Sequence, residues 1–235
     1  MSLLVPANPS HACFALLDDA SAADARSRLY SGHVGTLTCR RADQLPALLQ
    51  EMQQALQQGS FAVCLFTYEL GADLHGIPSL ASDQPWAEIL LFEHCDHLSF
   101  AQVQAWLAQH VQSTHAGIAN VHADIDEEKF CAAIARIHDY IAAGDTYQVN
   151  YTYRLRFDAY GSLHALYSRL RARQPVPYGA LIALPDGRAV LSLSPELFVR
   201  HDDGVLTVRP MKGTAAASGD PQQDAQAAHC LLYTS

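Results

Sequence analysis

The segment YGALIALPDGRAVLSLSPELFVRHDDGVLTVRPMKG, residues 178–213, decides the fold class. It contains four short apolar runs; Asp186-Gly187 separates the first two and Asp203-Gly204 separates the last two. An Asp-Gly pair between apolar runs is typical of a tight β-hairpin. The segment therefore predicts two consecutive antiparallel hairpins.

Upstream of the hairpins, helical and strand patterns follow one another. Residues 124–145 predict an amphipathic helix, with one apolar face formed by Phe130, Ile134, Ile137 and Ile141. Asp126 is placed to cap this helix, and Gly144 is placed to end it. Residues 146–157 alternate between apolar and polar side chains, which predicts a long strand with one polar face. Residues 162–174 predict a further helix.

The first half of the chain predicts mixed α and β structure. Residues 43–59 read as a helix whose apolar face carries Leu45, Leu48, Leu49, Met52 and Leu56. Residues 60–71 and 87–93 read as strands, and residues 100–112 as a weaker helix. The whole pattern is typical of an α+β fold in which antiparallel-rich sheets pack with helices, and not of alternating βαβ units.

Composition limits the class of protein. The chain has 235 residues and a formal charge of −9, which argues against a nucleic-acid partner. Its six cysteines are scattered, its twelve histidines are dispersed, and no metal-binding spacing is present. No signal peptide or membrane-length apolar run is visible. These features predict a cytoplasmic protein with no membrane partner.

The second hairpin brings two chemically useful residues within reach of each other. With a three-residue loop, Glu196 faces Pro210 and lies on the same face as Lys212, one diagonal step away. With a two-residue loop the two residues lie on opposite faces, unless a bulge intervenes. From spacing alone, Glu196 and Lys212 are either a solvent-exposed cross-strand ion pair or a nucleophile (Lys212) beside a general acid/base (Glu196).

Three ordered motifs carry a family resemblance. GDTYQVNYTYRL (residues 144–155), SPELFVR (194–200) and RPMKGTAAA (209–217) resemble the chorismate-utilising enzymes, which include anthranilate synthase, aminodeoxychorismate synthase and isochorismate synthase. The likeness extends over almost the whole chain. It implies an anthranilate synthase component I-like fold, here incomplete, with an N-terminal domain at residues 1–117 and the first part of a chorismate-binding domain at residues 118–229.

Two positions distinguish the branches of this family. Isochorismate-type relatives carry a lysine where this chain has Gln148, and anthranilate synthases typically carry alanine where it has Lys212. Gln148 together with Lys212 resembles the aminodeoxychorismate synthase component I branch. It implies that Lys212 attacks the chorismate ring, that Glu196 assists hydroxyl departure, and that Gly213 and Thr214 line the substrate site. The resemblance implies ammonia from a glutamine amidotransferase subunit and a place in p-aminobenzoate and folate biosynthesis.

The same resemblance implies two further ligands. A bound tryptophan, inhibitory in some relatives and structural in others, would contact Asp18, Asp19, Asn150, Pro177 and Tyr178. Mg²⁺ is the family's cofactor, but its two glutamate ligands belong to a C-terminal half with no counterpart in this chain. We therefore expect the chain by itself to be inactive. Anthranilate synthase component I, or a non-catalytic module that binds tryptophan or a partner, remains the alternative.

The last residues depart from the family pattern. After DPQQDAQAA the family predicts a continuing polar helix, whereas residues 230–235 read CLLYTS. The codons TGT CTC TTA TAC ACA TCT encode this string and resemble a transposase-end sequencing adapter. We therefore expect residues 230–235 to be non-native and the fragment to expose apolar surface and unpaired sheet edges.

Overall fold

The computed structural model describes residues 2–6, 13–21, 26–78, 83–111, 115–210 and 218–234. The chain divides into two compact units. The first combines Met1–Val103 with Leu170–Ser235, and the second is Gln104–Arg169. The predicted domain limits at residues 117 and 229 stay predictions.

The described strands and helices are numbered in chain order. The strands are β1 (Ser2–Pro6), β2 (Phe14–Asp18), β3 (Ser27–Cys39), β4 (Phe61–Phe66), β5 (Ala87–Leu98), β6 (Ala116–Ala123), β7 (Leu155–Gly161), β8 (Tyr178–Ala183), β9 (Arg188–Ser194), β10 (Leu197–Asp202) and β11 (Val205–Arg209). The helices are α1 (Leu45–Gln57), α2 (Tyr68–Leu74), α3 (Phe100–Gln109), α4 (Glu127–Ala143), α5 (Leu163–Arg173) and α6 (Pro221–Thr234). None of these helices combines the length and apolarity that a membrane crossing requires.

A seven-stranded sheet organises the first unit. Its strand order is β1-β9-β8-β2-β3-β5-β4, and β10 and β11 form a separate two-stranded sheet. Every strand pairing in the described part of the chain is antiparallel. The predicted α+β class with antiparallel-rich sheets is therefore confirmed.

Both predicted hairpins are present, and their turns explain why. In the β8–β9 turn, Leu184 N donates to Arg188 O at 2.8 Å, and Gly187 has a φ of 87°. In the β10–β11 turn, Asp203 and Gly204 both have positive φ, at 46° and 80°. Positive φ favours glycine and is tolerated by aspartate, so the Asp-Gly pairs suit these turns.

The seven-stranded sheet curls strongly. Arg188 at the start of β9 donates to both carboxylate oxygens of Glu88 on β5, at 2.9 and 2.8 Å. Three strands separate β9 from β5, so a flat sheet would hold the two strands about 19 Å apart. The concave side encloses a core cluster of Ala15, Tyr30, Val63, Leu90, Phe92, Ala180, Ile182 and Leu184.

A second core cluster lies where α1 covers the sheet. Leu48 is buried there, and Leu45 and Met52 are partly buried against the same cluster. Leu49 and Leu56 are exposed, so the predicted apolar face of this helix was too wide. The predicted strand at residues 60–71 was also too long, because α2 begins at Tyr68.

The second unit contains the predicted helix α4. Asp126 Oδ1 accepts a hydrogen bond from Lys129 N at 2.8 Å, and Gly144 ends the helix with a left-handed φ of 82°. Both predicted caps are confirmed. Phe130 contacts Tyr151 and Tyr153, with ring centroids 5.7 Å apart in each case.

The predicted long strand at residues 146–157 was correct only for its last three residues. The ladder begins only at Leu155, where β7 pairs with β6. The preceding residues have no regular secondary structure, and Tyr147 is 91% exposed. Alternation predicts a strand only if a neighbouring strand pairs with it, and the described residues supply none here.

Candidate functional site

The β10–β11 hairpin sets the position of Glu196. Asp202 pairs with Val205 and Arg200 with Thr207, which defines a two-residue turn at Asp203-Gly204. The register then shifts between Leu197 and Arg200, so that Leu197 pairs with Arg209. This shift is a β-bulge, which places one extra residue in one strand.

The bulge bears on the two registers that spacing left open for Glu196 and Lys212. A regular two-residue hairpin would direct Glu196 and Lys212 to opposite faces. If the pairing of Leu197 with Arg209 is extrapolated by one step, Glu196 falls opposite Pro210, as in the register expected for a three-residue loop. Lys212, Gly213 and Thr214 lie outside the described residues, so their approach to Glu196 stays a prediction.

Glu196 itself lies on an exposed turn. Ser194 Oγ donates to the Glu196 carbonyl at 3.2 Å, and Glu196 N lies 3.3 Å from the same hydroxyl. The Glu196 residue is exposed to solvent. A general acid whose pKa is raised by desolvation needs a less hydrated position than the exposed one at which the structure places Glu196.

Gln148 and Asn150 lie in the second unit, between α4 and β7. Gln148 Nε2 donates to Asn150 Oδ1 at 3.3 Å, and Thr146 Oγ1 donates to the Gln148 carbonyl at 3.0 Å. Both Gln148 and Asn150 are exposed. The branch assignment of Gln148 and the tryptophan role of Asn150 stay predictions.

Four of the five residues predicted to bind tryptophan lie at one end of the seven-stranded sheet. Asp18 is opposite Gly179 in the β2–β8 ladder. Two residues further on, Ala20 N donates to the Val176 carbonyl at 2.9 Å. These contacts bring the two acidic residues close to the segment that contains the other two. The residues concerned are Asp18, Asp19, Pro177 and Tyr178.

Asp18 takes part in a buried ion pair. Arg171 Nε donates to Asp18 Oδ2 at 2.6 Å, and the two side chains are 6% and 0% exposed. Ser27 Oγ donates to Asp18 Oδ1 at 3.0 Å. The Arg171 guanidinium also lies 4.1 Å from the centre of the Phe100 ring, a cation–π contact. Asp18 therefore has a structural role that the sequence interpretation missed.

Helical spacing on α5 could have revealed Arg171. Leu163 and Tyr167 are buried at positions eight and four residues before it, on the same helical face. An arginine on an apolar face needs a buried anion or an aromatic partner. Its partner could not be identified from local sequence, because Asp18 lies 153 residues away.

Asp19 makes different contacts from Asp18. Its Oδ1 accepts from Ser21 N at 3.0 Å and from Ser21 Oγ at 2.6 Å, which closes a local turn. Asp19 N donates to Ser27 Oγ at 3.1 Å. The predicted tryptophan site stays a prediction, with Asp19 as its more accessible acidic residue.

The described residues form a cleft in the second unit but no metal centre. In the described part of the chain, no three His, Cys, Asp or Glu side chains cluster as metal ligands. These residues therefore do not fit the expected Mg²⁺. A cleft of about 410 Å³ opens in the second unit and is lined by Asp124, Ile125, Lys129, Tyr151, Thr152, Tyr153 and Arg154. It contains none of the predicted site residues.

Comparison with known proteins defines the family. The family model for chorismate binding enzymes matches residues 13–235. The chain is 31% identical over 184 residues to aminodeoxychorismate synthase component 1 of Klebsiella aerogenes, covering 70% of this chain and 40% of that protein. It is 31% identical over 196 residues to 2-amino-4-deoxychorismate synthase of Streptomyces globisporus, covering 81% and 38%.

A relative with another activity also matches. Anthranilate synthase component 1 of Streptomyces coelicolor is 36% identical over 102 residues, covering 43% of this chain and 20% of that protein. The aligned region covers about 40% of the length of these two aminodeoxychorismate synthase relatives. The chain belongs to the chorismate binding enzyme family, as its motifs predicted.

Proposed function

We propose that the chain is part of an aminodeoxychorismate synthase component I, which converts chorismate and ammonia to 4-amino-4-deoxychorismate. The names of the Klebsiella aerogenes and Streptomyces globisporus relatives support this branch. Lys212 together with Gln148 supports it independently. The observation that carries the proposal is the pairing of Leu197 with Arg209, which favours a shared face for Glu196 and Lys212.

The proposed reaction has two displacement steps. The unprotonated Lys212 amine forms a bond to the chorismate ring, and the ring hydroxyl leaves as water after Glu196 protonates it. Ammonia then bonds to the ring and displaces the Lys212 amine, which regenerates the enzyme. The balance is chorismate plus ammonia giving aminodeoxychorismate plus water. Gly213 and Thr214 are proposed to line the substrate site.

The proposed partners follow from the same branch. A glutamine amidotransferase subunit supplies the ammonia, and relatives named component 1 are consistent with a second component. Mg²⁺ would neutralise substrate carboxylates when bound. No described residue is assigned to it. We further propose that the protein acts in p-aminobenzoate and folate biosynthesis in the cytoplasm.

Product analysis tests the branch. The protein expressed from its source gene is incubated with chorismate, Mg²⁺ and ammonia, and the products are separated by chromatography. We expect aminodeoxychorismate, which a lyase converts to p-aminobenzoate. The second candidate is anthranilate synthase, favoured by the Streptomyces coelicolor relative. Fluorescent anthranilate as the main product would reject the proposed branch.

A further inference from the structure

The two Asp-Gly pairs of this chain lie in hairpin turns that hold them differently. In the β8–β9 turn, Arg188 N donates to Asp186 Oδ1 at 3.0 Å, and Arg188 Nε donates to Asp186 Oδ2 at 2.7 Å. Gly187 N donates to the Leu184 carbonyl at 3.2 Å. Partial burial would raise the pKa of Asp186, but the backbone and side-chain hydrogen bonds from Arg188 outweigh it and lower the pKa. This Asp-Gly pair is therefore held ionised and hydrogen-bonded.

The β10–β11 turn leaves its Asp-Gly pair unrestrained. Asp203 and Gly204 are exposed, and within the described residues neither the Asp203 carboxylate nor the Gly204 N–H makes a hydrogen bond. Among the described strands, β10 and β11 pair only with each other, whereas β8 and β9 lie inside the seven-stranded sheet. Because a two-stranded pairing is less stable than a large sheet, the turn at Asp203 has the greater freedom to change conformation.

We propose that Asp203 is a modification site, at which the chain isomerises spontaneously to isoaspartate. Gly204 N forms a bond to Asp203 Cγ, and the side-chain hydroxyl leaves with the amide hydrogen as water, which closes a cyclic succinimide. Water then reopens the ring, and attack at the α-carbonyl of Asp203 leaves the chain running through the side-chain carbon. Glycine suits the first step because it has no side chain to block its nitrogen. The water released in the first step is regained in the second, so the reaction needs no other reactant.

Isomerisation at this position changes the turn itself, because isoaspartate adds a methylene group to the backbone. Asp202 pairs with Val205 around a turn of only two residues, Asp203 and Gly204, whose φ values are 46° and 80°. A tight hairpin turn of this kind accepts a narrow range of backbone geometry. The lengthened backbone no longer fits it, so the ladder beside the turn opens.

Incubation of the chain at neutral pH, followed by peptide mass spectrometry, tests the proposal. Isoaspartyl peptides are separated from their aspartyl isomers by chromatography and identified by electron-based fragmentation, with Asp186 as the internal control. We expect isoaspartate to accumulate at least about tenfold faster at Asp203 than at Asp186, because ring closure at Asp186 must first break hydrogen bonds to a charged group. In concentrated urea the two rates should converge, since the difference comes from the folded turns and not from the Asp-Gly sequence.

The Asp203→Asn variant gives a second measurement on the same turn. Its side-chain amide should close the same ring with release of ammonia, so that aspartate and isoaspartate both appear at this position in the folded chain. Hydrogen exchange in peptides that contain β10 and β11 should be faster after isomerisation than before it. The proposal is overturned if Asp203 isomerises no faster than Asp186 in the folded chain, if the difference persists in urea, or if the Asp203→Asn variant keeps its amide.

Discussion

Asp18 and Arg171 join the end of β2 to α5 through a contact that water hardly reaches. The Asp18 carboxylate and the Arg171 guanidinium neutralise each other, and Ser27 Oγ is a further donor to the carboxylate. Buried pairs of this kind contribute little net stability compared with apolar replacements, but the loss of one partner leaves the other charge buried and unpaired. The contact therefore fixes the end of β2 against the last turn of α5, both of which belong to the first unit.

We predict that Arg171→Met lowers the free energy of unfolding by about 3–5 kcal/mol, because it leaves the Asp18 carboxylate without its cation. The double variant Asp18→Leu with Arg171→Met should recover much of this loss. Arg173→Met, at an exposed position of the same helix, is the control. Denaturant titration measures the effect, and equal stability of Arg171→Met and Arg173→Met would contradict the structural role of the pair.

A second prediction at the residue scale concerns Cys13. Burial, with a smaller contribution from the negative charge of Asp186, raises the pKa of the Cys13 thiol to about 11. The raised pKa keeps the thiol protonated, so only about one molecule in a hundred is a thiolate at about pH 9. Alkylation of Cys13 should therefore keep accelerating up to about pH 11.

Peptide mass spectrometry can follow this alkylation for each cysteine separately. Cys131 is the internal control, because it is exposed on α4. We expect Cys131 to react much faster than Cys13 at mildly alkaline pH. Equal rates for the two thiols there would contradict the raised pKa of the partly buried Cys13 thiol.

At the scale of elements, α4 offers a test of capping. Asp126 accepts from Lys129 N, and its Oδ2 lies 2.7 Å from Lys129 Nζ. The Lys129 side chain, followed by its backbone N–H, lowers the pKa of Asp126. A lowered pKa gives a stabilisation that is present above the usual carboxyl pKa and is lost as the pH falls through the folded-state value.

We predict that Asp126→Asn is slightly less stable than the unmodified chain at neutral pH and that Asp126→Ala is less stable still. Asparagine keeps the hydrogen bond to Lys129 N but loses the charge, whereas alanine loses both. At a pH low enough to protonate Asp126, the difference between the unmodified chain and the Asn variant should disappear. Thermal midpoints at the two pH values measure this, and a difference independent of pH would contradict the charge assignment.

The sequence predicted elements well where local chemistry determines them. The Asp-Gly turns specified both hairpins, and Asp126 and Gly144 specified the limits of α4. The strand predicted at residues 146–157 was too long because alternation does not reveal whether a partner strand exists. The position of the bulge before Arg200 could not be predicted either, since it depends on pairing across the hairpin and not on residue type.

At the scale of the whole molecule, the curled sheet and the family match support one another. The Glu88–Arg188 contact joins residues that are 100 positions apart in the sequence. No local sequence pattern could therefore predict the curl of the sheet. Of the motifs that identified the family, SPELFVR spans the end of β9 and the start of β10, and GDTYQVNYTYRL precedes β7 and includes its first residue. The predicted exposure of apolar surface is confirmed in the described residues, while the reacting groups around Lys212 could be assigned only through resemblance.

The central claim is that Lys212 is the nucleophile in chorismate amination. The direct measurement is the rate of aminodeoxychorismate formation by the protein from its source gene, compared with its Lys212→Ala and Lys129→Ala variants. We predict a loss of at least about a hundredfold for Lys212→Ala and a change within about twofold for Lys129→Ala. An unchanged rate for Lys212→Ala would contradict the covalent role and, with it, the proposed mechanism.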